Sequence, residues 1–502
     1  MQQIYAQVSE THSAVVFCVG DRAYKLKKPV NLGFLDFSTP QARAAACVRE
    51  VELNQRYAPD VYLGVAEIRG PGGAVCDHLV VMRRMPTSRR LSALVQGRAP
   101  VAEAVRQVAK ILATQHASAP RGAKIDEQGS RDALRRRWAD NFDETRQAAG
   151  DVFDPVAMAE MQQMASLFLS GRKPLFDARI SAGRIVDGHG DLLAGDIFCL
   201  DDGPRVLDCL DFDDGLRWLD GLDDAACLAM DLEHLGNPGL GTQFIRWYAE
   251  YSGDPTPPSL CHHYIAYRAF VRAKVACLRL GQGAPGAADE ARGLADIAGS
   301  HLRQGAVALV LIGGLPGTGK SALADAVAGR LGCTVLSSDR IRKELAGLPA
   351  THQPAVPYGS GIYTSAFTEA TYAELLRRAT ELLRQGELVL ADASWASAGQ
   401  RAAAASAARV ADAGLVQLQC TAPAAVTEQR LNNRTSGASD ADRYIARRMA
   451  AVMAPWPAAV SIDTRRCARG SGERSGVADA VIEQAVNAIR PPQPLGDGSG
   501  LR

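Results

Sequence analysis

Gly314-Leu315-Pro316-Gly317-Thr318-Gly319-Lys320-Ser321 decides how the second half of this 502-residue chain is read. The stretch before it, residues 306–312 (AVALVLI), is apolar and short enough for a buried β-strand. After it, Leu323, Val327 and Leu331 recur at helical spacing. A glycine-rich turn between strand and helix is the setting of a phosphate-binding P-loop. Glycines let the backbone curl until successive N–H groups face the phosphates, and the helix N-terminus adds a favourable dipole. Here Gly314, Gly317, Thr318 and Gly319 would form the cradle, Lys320 would reach the β- and γ-phosphates, and the Ser321 hydroxyl would ligate Mg²⁺. ATP and Mg²⁺ are the expected cofactors.

From there to the C-terminal region the chain alternates strand and helix: VALVLI, CTVLSS, ELVLAD and LVQLQC with helical segments between them. That pattern predicts an α/β P-loop NTPase domain with a parallel sheet over 301–490. The last residues, 491–502 (PPQPLGDGSGLR), offer nothing to pack and are expected to be disordered. Asp339, in VLSSDRIRKEL, follows a strand end with Arg342 three residues on, an arrangement that resembles P-loop small-molecule and polynucleotide kinases and implies Asp339 as the base; capping of the next helix by Ser338 or Asp339 is the plain alternative. Asp392 ends ELVLAD, where a carboxylate would orient Mg²⁺ or its waters. Arg430 and Arg434 stand one helical turn apart, either facing solvent beside Glu428 or, as the resemblance to such kinases implies, serving as lid arginines that close over phosphates. Tyr358 and Tyr363 lie in a loop that would serve as a lid or as an ordinary crossover.

The first 300 residues read differently. Strand-like VVFCVG, AYKL and HLVVMRRM surround a helical segment after Ser38, and RGPGG at 69–73 marks a hairpin turn. Helical spacing follows over 101–115, 131–147 and 154–170, interrupted by a strand-rich interval at 184–212. Within that interval lies His189-Gly190-Asp191-Leu-Leu-Ala-Gly-Asp196. Two strands, 197–200 and 205–210, are expected to fold back so that residues 208–211 lie beside Asp196. Asp208 and Asp211 differ by an odd number of residues, so in a regular strand only one would face the site.

The form HGDxxxxD resembles the catalytic loop of protein kinases and, more closely, of aminoglycoside phosphotransferases. The resemblance implies a two-lobed α+β protein-kinase-like domain over 1–300, with Asp191 as the base that takes the acceptor's hydroxyl proton. It implies metal ligation by Asp196, which stands where the family has Asn, and by a carboxylate at 208–211. Asp211 is favoured, because DFDDGLRWLDGLDDAACLAM after it looks like the family's spacing, with Asp208 as the competitor. Lys25 matches the phosphate-pairing lysine and Glu50 the helix glutamate that holds it; Lys27 and Glu52 are close competitors. Residues 82–85 match the adenine hinge. The P-loop half, with Asp339 and Arg342, is similar to gluconate kinase and the zeta-toxin kinases, in which that arginine holds substrate. Taken together, the order of domains resembles the bifunctional aminoglycoside phosphotransferase/ATP-binding protein family. Each half is then expected to move the γ-phosphoryl of ATP to a small-molecule hydroxyl. Regulatory ATP binding, or a kinase acting on nucleic-acid ends, are the alternatives.

Composition narrows the field. A net charge of +1 gives no electrostatic case for nucleic acid or a membrane surface. Eleven cysteines without CxxC spacing fit reduced thiols. The opening MQQIYAQVSETHS has no signal pattern and no apolar run approaches a span, so a cytoplasmic protein is expected. Arg268, Arg272, Lys274 and Arg279 lie on one helix, Arg268 and Arg272 sharing a face; a solvated face or substrate contact would both fit. His262 and His263 show no metal-ligand spacing.

Overall fold

The computed structural model describes residues 7–10, 13–31, 36–148, 150, 152–349, 359–433, 443–465 and 477–490. The chain divides into two compact units: Met1–Pro155, Phe176–Thr256 and Tyr264–Gly299 form the first, and Val156–Leu175, Pro257–His263 and Ser300–Arg502 the second. The second unit thus recruits two segments from before residue 300. Arg172 ties one of them in, donating to the carbonyls of Ala411 at 2.5 Å and Asp412 at 3.0 Å; Ser259 ties the other, donating to Gly386 O at 2.6 Å.

The first unit begins with five antiparallel strands, β1 (Gln7–Glu10), β2 (Ala14–Val19), β3 (Arg22–Lys27), β4 (Tyr62–Arg69) and β5 (Val75–Arg83), in the order β1-β2-β3-β5-β4. Between β3 and β4 runs the helix Pro40–Gln55, started by Pro40 and by a Thr39 side chain that accepts the Ala42 N–H. Its buried positions Cys47, Glu50, Val51 and Asn54 recur at helical spacing, which puts Glu50 on the sheet-facing side. Cys47, Val51, Val61, Val80 and Met82 close a small core there, with Phe198 and Leu207 packed into it.

The rest of this unit is helical, apart from two short antiparallel pairs: β6 (Ile185–Asp187) with β9 (Trp218–Asp220), and β7 (Ile197–Leu200) with β8 (Gly203–Val206). A sheet-rich lobe carrying a buried helix glutamate, followed by a helical lobe with a catalytic-type loop, is the two-lobed kinase-like architecture. The second hairpin strand spans 203–206, not the expected 205–210, and residues 207–211 are irregular.

The second unit is a parallel sheet of β10 (Ala308–Gly313), β11 (Thr334–Ser337), β12 (Val389–Asp392), β13 (Gly414–Thr421) and β14 (Val460–Asp463), ordered β11-β12-β10-β13-β14. All six residues of the central β10 are buried, as expected of a strand covered on both faces. Val310, Ile312, Leu323, Val327, Leu390, Leu418 and Ile462 share one core. This is the α/β P-loop fold expected from the alternation.

Candidate active sites

The two lysines of β3 point to the same side, because residues two apart share a face. Lys25 Nζ lies 2.8 Å from Glu50 Oε1 and 2.9 Å from Asp208 Oδ1. Lys27 Nζ lies 2.8 Å from Glu50 Oε2 and 2.7 Å from Asp211 Oδ2. Both aspartates therefore reach the β3 lysines, which corrects the expectation that they face opposite ways. The reason is the irregular backbone: Asp208 adopts a left-handed φ of 63°, a conformation aspartate tolerates better than most residues. Tyr62 Oη and Asn54 Oδ1 accept the N–H groups of Asp208 and Cys209 and fix the turn. Glu52 lies largely exposed, 3.7 Å from Arg49, and does not join the cluster.

Asp196 distinguishes the two aspartates. Burial, then the carboxylates of Asp208 and Asp191, push its carboxyl up to about 7. The charges acting on Asp211 are those of Lys27, Glu50 and Lys25, and burial outweighs the lysines to leave it above its ordinary value. Asp208, by contrast, is held below its ordinary value by Lys25. The charge of Asp208 thus bears on Asp196, while Asp211 is bonded by Lys27.

The loop before Asp191 hangs on a residue that sequence reasoning did not single out. Asp224, fully buried, accepts the backbone N–H groups of His189 at 2.6 Å and Gly190 at 3.0 Å, and lies 3.0 Å from His116 Nε2. Burial alone would raise its carboxyl; the bonds and charges of His116 and His189 outweigh that and hold it well below the usual range. The signal in sequence was two adjacent aspartates, Asp223 and Asp224, inside an apolar helix. Asp223 receives Arg268 Nε at 2.7 Å, while Arg268 Nη1 donates to Gly190 O at 2.8 Å. His189 is a buried structural residue, Nε2 set 3.0 Å from Leu207 O. Asp191 itself stays 44% exposed, with Arg272 Nη1 3.9 Å away. Lys274 pairs with Glu144 and Arg279 with Glu290.

In the second unit, β10 runs into Gly314 and the helix Lys320–Leu331 leaves the loop. Gly314 has φ 135°, and a Cβ there would stand 2.5 Å from Cys420 O; at Gly317, φ 81°, it would stand 2.9 Å from Thr427 O. The loop needs glycine at these places because its own neighbours crowd it. Thr318 Oγ1 donates to Leu315 O at 2.8 Å, as does Lys320 Nζ at 3.1 Å. Ser321 Oγ donates to Asp392 Oδ2 at 2.7 Å. Asp392 ends β12 in register with Ile312 and Ser337, which sets it at the strand ends where the P-loop begins. Burial raises its carboxyl, against the charge of Lys320 and the bond from Ser321. A hydroxyl and a carboxylate in contact are a hard-oxygen pair that fits Mg²⁺.

Asp339 lies in the first turn of the helix Ser338–Leu345, close enough to raise Asp392; the N-cap is Ser337, without a side-chain cap bond. Arg342 is buried and donates to Ile362 O at 2.7 Å and Thr368 Oγ1 at 3.1 Å, its guanidinium 5.1 Å from the Tyr363 ring centre. Arg430 reaches the loop itself, donating to Gly317 O at 3.3 Å and Thr464 O at 2.7 Å. Arg434 and Tyr358 lie outside the described residues.

A family profile described as an AAA domain matches residues 309–456. Uncharacterized protein Mb2027c of Mycobacterium bovis and uncharacterized protein Rv2004c of Mycobacterium tuberculosis are each 45% identical over 472 residues, covering 94% of this chain and 94% of the relative. Among solved structures, a choline/ethanolamine kinase family protein from Mesorhizobium loti aligns with 60% of this chain and 93% of its own at 14% identity and TM-score 0.36. A sugar kinase from Janibacter sp. HTCC2649 aligns with 37% of this chain and 94% of its own at 17% identity and TM-score 0.27.

Proposed function

The chain belongs to the family of the mycobacterial proteins Mb2027c and Rv2004c, and from the two sites it carries we propose an ATP-dependent phosphotransferase with two nucleotide-binding units, each serving a small-molecule hydroxyl. The observation that carries this reading is Lys25 Nζ held between Glu50 and Asp208, with the charges of Asp208 and Asp191 both bearing on Asp196. A lysine pinned by a buried glutamate is set to meet phosphate oxygens. Asp208 and Asp196 offer oxygen donors to Mg²⁺, and Asp191 is exposed to accept the hydroxyl proton. When bound, Mg²⁺ would neutralise phosphate charge at both sites.

In the second unit Gly314–Ser321 would hold the triphosphate, Lys320 leaving Leu315 O for the phosphates. Ser321 and Asp392 would hold the metal, and Asp339 would take the acceptor proton. Arg430 steadies the loop through Gly317 and is close enough to follow charge there, with Arg434 as its partner; Arg342 would orient the acceptor through the segment it holds. Among the described residues no helix is long and apolar enough to cross a membrane. With the neutral charge balance, that suits a cytoplasmic enzyme acting on a dissolved acceptor rather than on nucleic acid.

One observation favours a second reading. Asp196 stands where the resembled family has asparagine, and its added negative charge would oppose an incoming triphosphate, which suits a first unit that binds nucleotide to regulate rather than to transfer. ADP release across a panel of sugars, amino sugars, sugar acids and nucleosides tests both, with wild type beside Asp191→Asn and Asp339→Asn. An acceptor-stimulated rate lost in one variant alone supports transfer and assigns it to a unit. ATP binding without stimulation by any acceptor would leave the regulatory reading standing.

A further inference from the structure

Arg272 is the charged side chain beside Asp191 that neither site has yet used. It follows Arg268 by one helical turn on Pro258–Gly281, so the two share a face. Arg268 anchors that turn to the catalytic loop through Asp223 and Gly190 O. The same face then carries Arg272 to the base, its Nη1 3.9 Å from Asp191 Oδ2. At that length the ion pair is too long for a hydrogen bond, and the charge of Arg272 is also felt by Asp231. The side chain is 29% exposed, so a partly desolvated guanidinium stands near Asp191 with its planar fork of donors available.

Three carboxylates around this loop are already engaged by the protein itself. Asp223 is bonded to Arg268, Asp224 to two backbone N–H groups, and Asp231 Oδ2 accepts the Ala194 N–H at 2.7 Å. Asp191 is reserved for the hydroxyl. An ammonium brought beside Asp191 would meet Arg272, a like-charge contact that disfavours it. A carboxylate or phosphate would instead find a bidentate partner.

We propose that the acceptor of the first unit is an alcohol bearing an anionic oxyacid group, bound at two points: its hydroxyl on Asp191 and its anionic group on Arg272. This rests on the reading of that unit as a phosphotransferase. The hydroxyl proton passes to Asp191, the acceptor oxygen bonds the γ-phosphorus of ATP, and the bond to the β–γ bridging oxygen breaks to release ADP.

The test uses the full chain carrying Lys320→Ala, so that turnover comes from the first unit. ADP release is measured with matched alcohols: glucose, glucosamine, gluconate and glucose 6-phosphate, then glycerol, ethanolamine, glycerate and glycerol 3-phosphate. The expected result is stimulation by anionic members, with the carboxylate and phosphate arms deciding which oxyacid fits. Arg272→Gln should raise KM for them by about tenfold to a hundredfold, the loss of a charge-assisted pair, with kcat changed far less and Arg272→Lys intermediate. Preference for the amino alcohols, or a kcat loss in Arg272→Gln equal for charged and neutral acceptors, would overturn the assignment. If no stimulated rate disappears in Asp191→Asn, the phosphotransferase reading itself fails, a result separable from the first by that variant.

Discussion

Glu50 holds two lysines at once, Oε1 at 2.8 Å from Lys25 Nζ and Oε2 at 2.8 Å from Lys27 Nζ. The glutamate is 1% exposed and Lys27 4%, so neither charge has water to fall back on. Kinase-like sites often need a helix glutamate to stay turned toward its lysine; here the second lysine, itself tied to Asp211, makes turning away costly. Lys27→Met would leave Asp211 without its lysine and Glu50 with Lys25 alone, a loss of about 3–5 kcal/mol. Chemical denaturation of the first unit's transition checks this, and Lys27→Met with Asp211→Asn should recover part of the loss. Equal stability of wild type and Lys27→Met would mean the lysine is ornamental.

The same geometry separates the roles of Asp208 and Asp211. Asp208 acts on Asp196 and Asp191 lies close by, whereas Asp211 is spent on Lys27. In a Lys320→Ala background, Asp208→Asn should lower acceptor-dependent ADP release by about a hundredfold or more, the scale of removing an electrostatic stabiliser. Asp211→Asn should cost less than about tenfold and act mainly through stability. The reverse order of losses would restore Asp211 as the metal carboxylate.

Why one aspartate could be named and the other misjudged follows from what sequence spacing encodes. Gly314–Ser321, His189–Asp191, Lys25 and Glu50 are local patterns, and their strand or helix setting shows in the hydrophobic spacing beside them. The face of a residue in 207–211 is not local: it depends on the left-handed turn at Asp208, held by Tyr62 and Asn54 from far along the chain. Asp224 escaped for the same reason, since its partners are backbone N–H groups 34 and 35 positions away. The segment 154–170 reads as another amphipathic helix until Arg172, just beyond it, is seen bonding to Ala411 and Asp412.

In the second unit the loop's shape and its charge can be tested apart. At Gly314 the φ of 135° and the 2.5 Å approach of Cys420 O leave an alanine no room, and the obstacle is backbone. Gly314→Ala should therefore destabilise the unit by about 1–3 kcal/mol and weaken nucleotide binding together. Lys320→Ala keeps the loop's glycines and should weaken binding by tenfold or more with little change in melting temperature. Fluorescent-nucleotide titration beside thermal melting resolves the two; a Gly314→Ala protein that melts and binds as wild type would mean the loop relaxes freely.

Acid should unfold this second unit earlier than its carboxylates alone would require. His262 Nδ1 lies 2.9 Å from His301 Nδ1, and His263 stacks on Phe168 at 4.3 Å. Burial, helped at His262 by the charges of His301 and Arg490, holds both His262 and His263 down at about 3. An unfolded chain takes up these protons below about 6.5, while the folded unit refuses them until about 3. The unfolded state then binds more protons, so stability falls as pH drops through that window, by up to about 1.4 kcal/mol per pH unit for each histidine. Urea unfolding of the full chain at pH 7.5 and 5.5 should show the loss. His262→Asn with His263→Phe should flatten that limb, the phenylalanine keeping the stack on Phe168. An unchanged slope in the double variant would place the acid sensitivity elsewhere.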